Sequence, residues 1–252
     1  MEPSRNSRRK TLSSPSRSLE RVSSTRIKIC GVTDPADARR VADLGAWALG
    51  MIFWPRSARV CAIEDAEAIG SELYRRLERV GVFVNAPLDE VAATADLCRL
   101  SMLQLHGDEG PAYCQEAARR TGAKVMKAAR VRDAAQVHDL QRFSTDYHLL
   151  DAYSPRSPGG TGESFDWELA RLHPRRPPVV LSGGLTADNV GTAIEAGRPF
   201  AVDVASGTEA APGRKDPAKL TAFVRAVAAA DERLGAAVRE GPGPARTGAT
   251  PS

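Results

Sequence analysis

Short apolar runs alternate with longer amphipathic stretches between residues 25 and 230 of this chain. The short runs are typical of strands buried in a parallel sheet, and the longer ones of helices that cover such a sheet. The pattern predicts eight strands, at residues 26–32, 46–53, 79–84, 101–106, 123–130, 147–151, 178–184 and 200–207. It also predicts eight helices, at residues 35–44, 63–77, 88–97, 110–120, 134–140, 167–172, 187–196 and 217–234.

Eight strands alternating with eight helices predict an α/β protein with a single (β/α)8 barrel, a TIM barrel, over residues 25–234. The last helix has a clear start, with Asp216 as N-cap and Pro217 at the first helical position. The alternative is an open doubly wound sheet. That fold usually shows fewer strands and a G-x-G-x-x-G turn after the first strand, whereas the first strand here runs into C-G-V-T.

Charge is unevenly distributed, and this sets the two ends of the chain apart. The net charge is +4, and the first 24 residues hold six basic and two acidic side chains, so the remainder is balanced. We expect residues 1–24 to be a disordered basic Ser/Arg-rich tail and residues 235–252 to be a disordered Pro/Gly-rich tail. A neutral barrel is not expected to bind nucleic acid, which needs clustered Lys and Arg.

No apolar run is long enough for a membrane helix, and the N-terminal segment lacks the apolar core of a secretory signal. The four cysteines show neither a C-x-x-C pair nor a Cys/His cluster with zinc spacing. We therefore expect a cytoplasmic protein without a metal or membrane partner, acting on a small molecule as a monomer or homodimer.

In a (β/α)8 barrel the catalytic groups lie at the carboxyl ends of the strands. The polar or reactive residues at those predicted ends are Cys30, Arg56, Arg59, Asn85, His106, Asp151 and Asp203. The loops that follow the sixth, seventh and eighth predicted strands, here called loops 6, 7 and 8, are glycine-rich. Such loops bind phosphate through backbone N–H groups. The candidate phosphate-binding residues are Gly160 and Gly162 in loop 6, Gly183 and Gly184 in loop 7, and Ser206 and Gly207 in loop 8.

The carboxyl ends of the strands form the mouth of the predicted barrel, and each candidate side chain there could have a structural role instead of a functional one. Free cysteine is often a small buried residue, but the position of Cys30 at a strand end favours a chemical role. A carboxyl group held partly out of water, such as Asp151, can act as a general acid near neutral pH. His106 can be a structural imidazole or a substrate contact, and Arg59 a solvated side chain or a carboxylate anchor.

Several segments together resemble the phosphoribosylanthranilate isomerase family, the third-step enzymes of tryptophan biosynthesis. They are RIKICGVTD, VGVFVN, LQLHGDE, LLDAYSPRSPGGTGESFDW, VVLSGGLTADNV and PFAVDVASGTEAAPGRKD, in this order. The resemblance covers about residues 25–230 and implies an Amadori rearrangement of N-(5-phosphoribosyl)anthranilate to the aminoketose phosphate, with no cofactor. It implies Cys30 as general base, Asp151 as general acid and Arg59 as the contact to the anthranilate carboxylate.

One departure from the family pattern is Ala205, where a hydroxyl residue is usual after the eighth strand. Two other functions remain open at this point. One is the sugar-phosphate Amadori isomerase of the histidine pathway, whose strand-1 base is an aspartate. The other is a phosphate-binding barrel without catalysis. We also expect His106 and Asp203 to bind substrate, and Gly31 to leave room for the substrate beside Cys30.

Overall fold

Eight parallel strands close into a barrel in chain order, and the eighth strand pairs with the first. The structure is a computed structural model that describes residues 24–152 and 167–240. The barrel strands are β1 (Arg26–Cys30), β2 (Ala48–Ile52), β3 (Glu78–Phe83), β4 (Met102–Leu105), β5 (Lys124–Val131), β6 (Tyr147–Ala152), β7 (Val179–Ser182) and β8 (Ala201–Val204). The predicted (β/α)8 fold is confirmed.

Seven α-helices cover the described part of the barrel. They are α1 (Pro35–Asp43), α2 (Ile63–Glu72), α3 (Leu88–Leu97), α4 (Pro111–Thr121), α5 (Ala134–Asp139), α6 (Val190–Gly197) and α7 (Pro217–Glu240). The helix predicted at 167–172 is instead a 3-10 helix, Trp167–Leu172. Pro174 follows closely, and because a residue before proline avoids the α conformation, a short, tighter turn fits better there.

The last helix, α7, is longer than predicted. Asp216 caps it as expected, accepting hydrogen bonds from the backbone N–H groups of Ala218 and Lys219. The helix continues past Leu234 to Glu240, so the first six residues assigned to the C-terminal tail are helical. Residues 1–23 and 241–252, which make up most of both predicted tails, lie outside the described residues. Among the residues described, no helix combines the length and apolar character needed to span a bilayer.

The barrel interior is apolar at its amino-terminal end and polar at its mouth. Its apolar cluster consists of Ala48, Val80, Met102, Met126, Ala128, Leu149, Val180 and Ala201. Trp47, Tyr147 and Phe200 close the bottom, with ring centroids 5.2–5.5 Å apart. Polar side chains of the same inner face, such as Lys28, Gln104 and Asp203, are buried nearer the carboxyl ends.

A small antiparallel sheet after β8 was not predicted. It pairs β9 (Glu209–Ala211) with β10 (Arg214–Lys215). The backbone N–H of Lys215 donates to Asp37 in α1, and the hydroxyl of Thr33 donates to the carbonyl of Gly213. The hairpin therefore lies beside the loop that follows β1.

Two buried histidines on the outer side of β6 form a chain of hydrogen bonds. His148 Nδ1 is 2.8 Å from His173 Nε2, and His148 Nε2 is 3.2 Å from the carbonyl oxygen of Phe143. Because that carbonyl can only accept, His148 carries its proton on Nε2 and accepts from His173 through Nδ1. The N–H of Arg175 donates to His173 Nδ1. Both rings are therefore neutral. Burial, with a smaller contribution from His173, which would repel a second positive charge, lowers the pKa of His148 from 6.5 to about 4.

We expect the protein to lose about 2 kcal/mol of unfolding free energy between pH 6.5 and pH 4 through His148. In this window the unfolded state binds a proton that the folded state rejects, so stability falls as pH falls. Urea unfolding at several pH values measures this loss. The His148→Leu variant should show a flatter dependence, and His138→Gln, at an exposed histidine, should follow the original protein. An unchanged slope in His148→Leu would contradict the assignment.

Candidate active site

Cys30 is the last residue of β1 and points into the barrel mouth. Only 7% of the residue is exposed, and it lies in register with Gly50 of β2. Burial raises the pKa of the Cys30 thiol above its ordinary value. The positive charges of Lys28 and Lys215 oppose that rise, whereas the negative charge of Asp203 adds to it. The thiol therefore has two cations nearby that favour its ionised form.

Asp151 lies near the end of β6 and meets His106, which follows β4 directly. His106 Nε2 is 3.3 Å from Asp151 Oδ2, and both side chains are partly exposed at the mouth. Gln104 Nε2 is 3.0 Å from His106 Nδ1, which leaves Nε2 of the ring to face Asp151. The predicted acid and the predicted imidazole thus lie within ion-pair distance of each other at the mouth.

Arg59 lies in the loop after β2 and is held by Glu209 of the β9–β10 hairpin. Arg59 Nε and Nη2 donate to the two Glu209 oxygens over 2.8–3.0 Å. These hydrogen bonds raise the pKa of Arg59. Gly31 has φ +72°, and a Cβ there would lie 2.8 Å from Arg59 Cδ. A side chain at this position would therefore collide with the stem of Arg59, and the expectation that Gly31 also leaves room for substrate stays a prediction.

Lys215 connects the hairpin to β1 and β8. Its buried Nζ donates to the carbonyl oxygens of Cys30 (2.6 Å) and Ala205 (3.2 Å) and to Glu209 (3.1 Å). Burial lowers the pKa of Lys215, and the charge of Glu209 only partly restores it. Sequence reasoning missed both Glu209 and Lys215. The available signal was an acidic and a basic residue on either side of a Pro-Gly turn.

Asp203 of β8 pairs with Lys28 of β1 inside the barrel. Lys28 Nζ donates to Asp203 Oδ1 over 2.9 Å, and both side chains are buried. The second oxygen, Oδ2, is 3.5 Å from Ser182 Oγ at the end of β7. Asp203 is therefore an ion-pair partner in the barrel interior, and its role as a substrate ligand stays a prediction.

Loops 7 and 8 lie against each other at the mouth. Gly183 and Gly184 have φ values of +98° and +62°, which favour glycine. A Cβ on Gly207 would collide with the carbonyl oxygen of Leu185, so the two loops approach as closely as a glycine permits. Asn189 also fixes loop 7, donating to the carbonyl of Gly184. Gly160 and Gly162 of loop 6 lie outside the described residues.

The remaining predicted mouth residues have structural contacts or are exposed. Asn85 has φ +52°, and its N–H donates to Glu109 while its side-chain oxygen accepts from the N–H of Asp108. Arg56 is exposed. Within residues 24–152 and 167–240, no three His, Cys, Asp or Glu side chains come together in a way that could hold a metal ion. The mouth thus combines a thiol, a carboxyl group, an arginine and two adjoining glycine-rich loops.

Comparison with known proteins identifies the family. The family model for N-(5'-phosphoribosyl)anthranilate isomerase matches residues 27–226. A protein of that name from Geobacter metallireducens is 46% identical over 200 residues, which cover 79% of this chain and 97% of the relative. The Thermotoga maritima phosphoribosyl anthranilate isomerase structure is 38% identical with a TM-score of 0.72, covering 81% of this chain and 99% of that one.

A further structure is of phosphoribosyl anthranilate isomerase in complex with reduced 1-(o-carboxyphenylamino)-1-deoxyribulose 5-phosphate. It is 36% identical with a TM-score of 0.70, and the match covers 81% of this chain and 99% of that one. The family match spans well over half of the chain, and the relatives are matched over nearly their whole length. The chain therefore belongs to the N-(5'-phosphoribosyl)anthranilate isomerase family.

Proposed function

We propose that this protein isomerises N-(5'-phosphoribosyl)anthranilate to 1-(2-carboxyphenylamino)-1-deoxyribulose 5-phosphate, a step of tryptophan biosynthesis. The observation that carries the proposal is the presence of Cys30 and Asp151 at the same end of a closed barrel, on strands β1 and β6. An Amadori rearrangement needs one group to donate a proton and another to remove one. Family membership supports the assignment of these roles.

The reaction begins with ring opening. Asp151 gives its proton to the furanose ring oxygen, the bond from that oxygen to sugar C1 breaks, and the anilino nitrogen lone pair forms the C1 iminium. The Cys30 thiolate then removes the proton from C2, the electrons of that C–H bond form the C1–C2 double bond of an enolamine, and the electrons of the C1–N double bond return to the nitrogen. Protonation at C1 and loss of the C2 hydroxyl proton give the ketone. The positive iminium makes the C2 proton acidic enough for a thiolate.

In this proposal Arg59 binds the anthranilate carboxylate. Glu209 occupies the Nε/Nη2 edge of the guanidinium, and within the described residues no partner is found for Nη1. The Nη1/Nη2 edge can therefore bind a carboxylate through two parallel N–H donors. Glu209 fixes the orientation of that edge before substrate arrives, which lowers the entropy cost of binding.

Loops 7 and 8 would bind the phosphate through the backbone N–H groups of Gly183, Gly184, Ser206 and Gly207, aided by Gly160 and Gly162 of loop 6. His106 and Asp203 would contact the sugar hydroxyls. Ala205 offers no hydroxyl, so the phosphate would depend more strongly on backbone donors. A cytoplasmic location and a monomeric or homodimeric state remain predictions.

A direct assay tests the function. The purified protein is mixed with N-(5'-phosphoribosyl)anthranilate, anthranilate-type fluorescence is followed, and the product ketone carbon is identified by NMR. We expect saturable turnover far above the spontaneous decay of the adduct. Decay at the spontaneous rate would contradict the proposal. Turnover of a histidine-pathway aminoaldose with comparable kcat/KM would favour the other Amadori isomerase class.

The Arg59→Lys variant should raise KM by about 10- to 100-fold and change kcat much less. Lysine keeps the positive charge but loses the two parallel donors that match a carboxylate, and each tenfold change corresponds to about 1.4 kcal/mol. Steady-state kinetics measure the changes in KM and kcat separately. Arg76→Lys, at an arginine paired with Asp43 on the surface, is the matched control and should leave both constants unchanged. An unchanged KM in Arg59→Lys would contradict the carboxylate contact.

A further inference from the structure

Lys28 is a charged residue in the interior of the barrel that the mechanism above does not use. Its side chain is fully buried, and its Nζ is paired with Asp203 at 2.9 Å. The interior of a (β/α)8 barrel is normally filled by branched apolar side chains, and burying a lysine costs free energy that one ion pair does not reliably recover. A structural role alone would be better met by an apolar residue.

Lys28 and Cys30 lie two residues apart on β1, so their side chains share the inner face of the strand. Gly50 of β2 lies opposite Cys30 in the sheet register. A Cβ on Gly50 would lie 2.9 Å from Cys30 Sγ and 3.1 Å from Lys28 Nζ. The sulfur and the ammonium nitrogen therefore both border the small space that glycine leaves on β2.

We propose that the Lys28 ammonium is a positioning residue for the base, favouring ionised Cys30, and that Gly50 provides the space that holds the two side chains together. The proposal rests on Cys30 being the base of the proposed function. Lys28 then supplies the positive charge that favours ionisation of the buried thiol, which must be a thiolate to remove the substrate C2 proton. The proposal also gives a reason for glycine at a strand position where a side chain would otherwise pack.

The charged groups around Cys30 support this assignment. Burial is the largest influence and raises the pKa of Cys30, and Lys28 opposes it more strongly than any other group, through its positive charge. Lys215 acts in the same direction more weakly, and Asp203 acts against both. Arg59 also interacts electrostatically with Cys30.

Lys28 remains charged when Cys30 ionises. Burial alone would lower the pKa of Lys28, but the charges of Asp203 and Cys30 and the hydrogen bond to Asp203 outweigh burial and raise it. The ammonium is therefore present before and after proton transfer. When the thiolate takes the C2 proton it becomes a neutral thiol, and Lys28 stays paired with Asp203.

The test measures ionisation of Cys30 without substrate. Each protein is alkylated with iodoacetamide between pH 6 and pH 10, and modification of the Cys30 peptide is followed by mass spectrometry. We expect Cys30 of the Lys28→Met variant to react with iodoacetamide at least about tenfold more slowly at pH 8 than Cys30 of the original protein. One pKa unit changes the thiolate fraction about tenfold. The midpoint of its pH profile should rise by at least about one unit.

Two further variants guard against a folding defect or an uncompensated charge. Lys28→Met/Asp203→Asn removes both charges and should still react more slowly than the original protein. Gly50→Ala separates the two side chains and should shift the profile in the same direction. Gly110→Ala is the matched control, since a Cβ there meets nothing within 4 Å. Circular dichroism checks that each variant is folded.

An alkylation midpoint in folded Lys28→Met or in the double variant equal to that of the original protein would overturn the proposal. So would an unchanged midpoint in Gly50→Ala. The pH profile of kcat/KM for the isomerase reaction should shift with the alkylation profile. If the original protein does not turn over the substrate, the proposed function fails, whereas the alkylation profiles still decide the role of Lys28.

Discussion

Replacing Cys30 by alanine is expected to lower kcat about a thousandfold, which corresponds to about 4 kcal/mol of lost transition-state stabilisation. Without the thiolate, water, a much weaker base, would have to remove the C2 proton. KM should change little, because the sulfur acts on the reacting carbon rather than on the carboxylate or phosphate. In the original protein kcat/KM should rise with pH, since burial raises the pKa of the thiol that must ionise.

The matched control for Cys30→Ala is Cys114→Ala, a buried cysteine of α4 in the outer core. Both variants remove one sulfur atom, so any loss of stability from the small cavity should be similar. Only Cys30→Ala should lose activity. If its kcat stayed within tenfold of the original value, Cys30 would not be the base.

The Asp151→Asn variant is expected to lower kcat by 100- to 1,000-fold, which is about 3 to 4 kcal/mol. Asparagine keeps the shape of the side chain and can still face His106, but it has no acidic proton to give to the ring oxygen. The furanose would then open only as fast as water can protonate it. Steady-state kinetics with N-(5'-phosphoribosyl)anthranilate should show a fall in kcat with KM changed less than about threefold.

Asp108→Asn provides the control for the lost negative charge. Asp108 is an exposed aspartate in the loop after β4, near His106. Its replacement makes the same change in net charge at the same end of the barrel. Full activity in Asp108→Asn together with loss in Asp151→Asn would assign the effect to proton donation. Equal losses of activity in both variants would instead assign the effect to the loss of negative charge at this end of the barrel.

The barrel could be predicted because its strands are short apolar runs between helical periodicities. Two kinds of element could not be predicted this way. Strands β9 and β10 have three and two residues, too few to show any alternation, and they form through contacts with α1 and the loop after β1. The segment Trp167–Leu172 has helical spacing, but Pro174 limits how far an α-helix can extend.

In the candidate site, position at a strand end was sufficient to select Cys30, Asp151 and Arg59, because the fold brings all such ends to one face. Partners of these residues were harder to find. Glu209 lies 150 residues from Arg59 along the chain, and no local pattern links them. Lys28 did carry a signal, since alternation along Arg26–Cys30 places it on the same face as Cys30, but its pairing with Asp203 depends on closure of the barrel.

That closure has a consequence for folding. The pairs that surround Cys30 cross the seam between β1 and β8: Lys28 with Asp203 is 175 residues apart in sequence, and Cys30 with Lys215 is 185. Thr25 and Asp231, 206 residues apart, join the same two ends of the chain. Contacts this far apart in sequence carry the largest loop-closure entropy and slow folding most. A chain whose first and last strands have not yet joined would already have most of its core but would leave Cys30 more exposed, so the fall in Cys30 alkylation during refolding should report the joining of those strands.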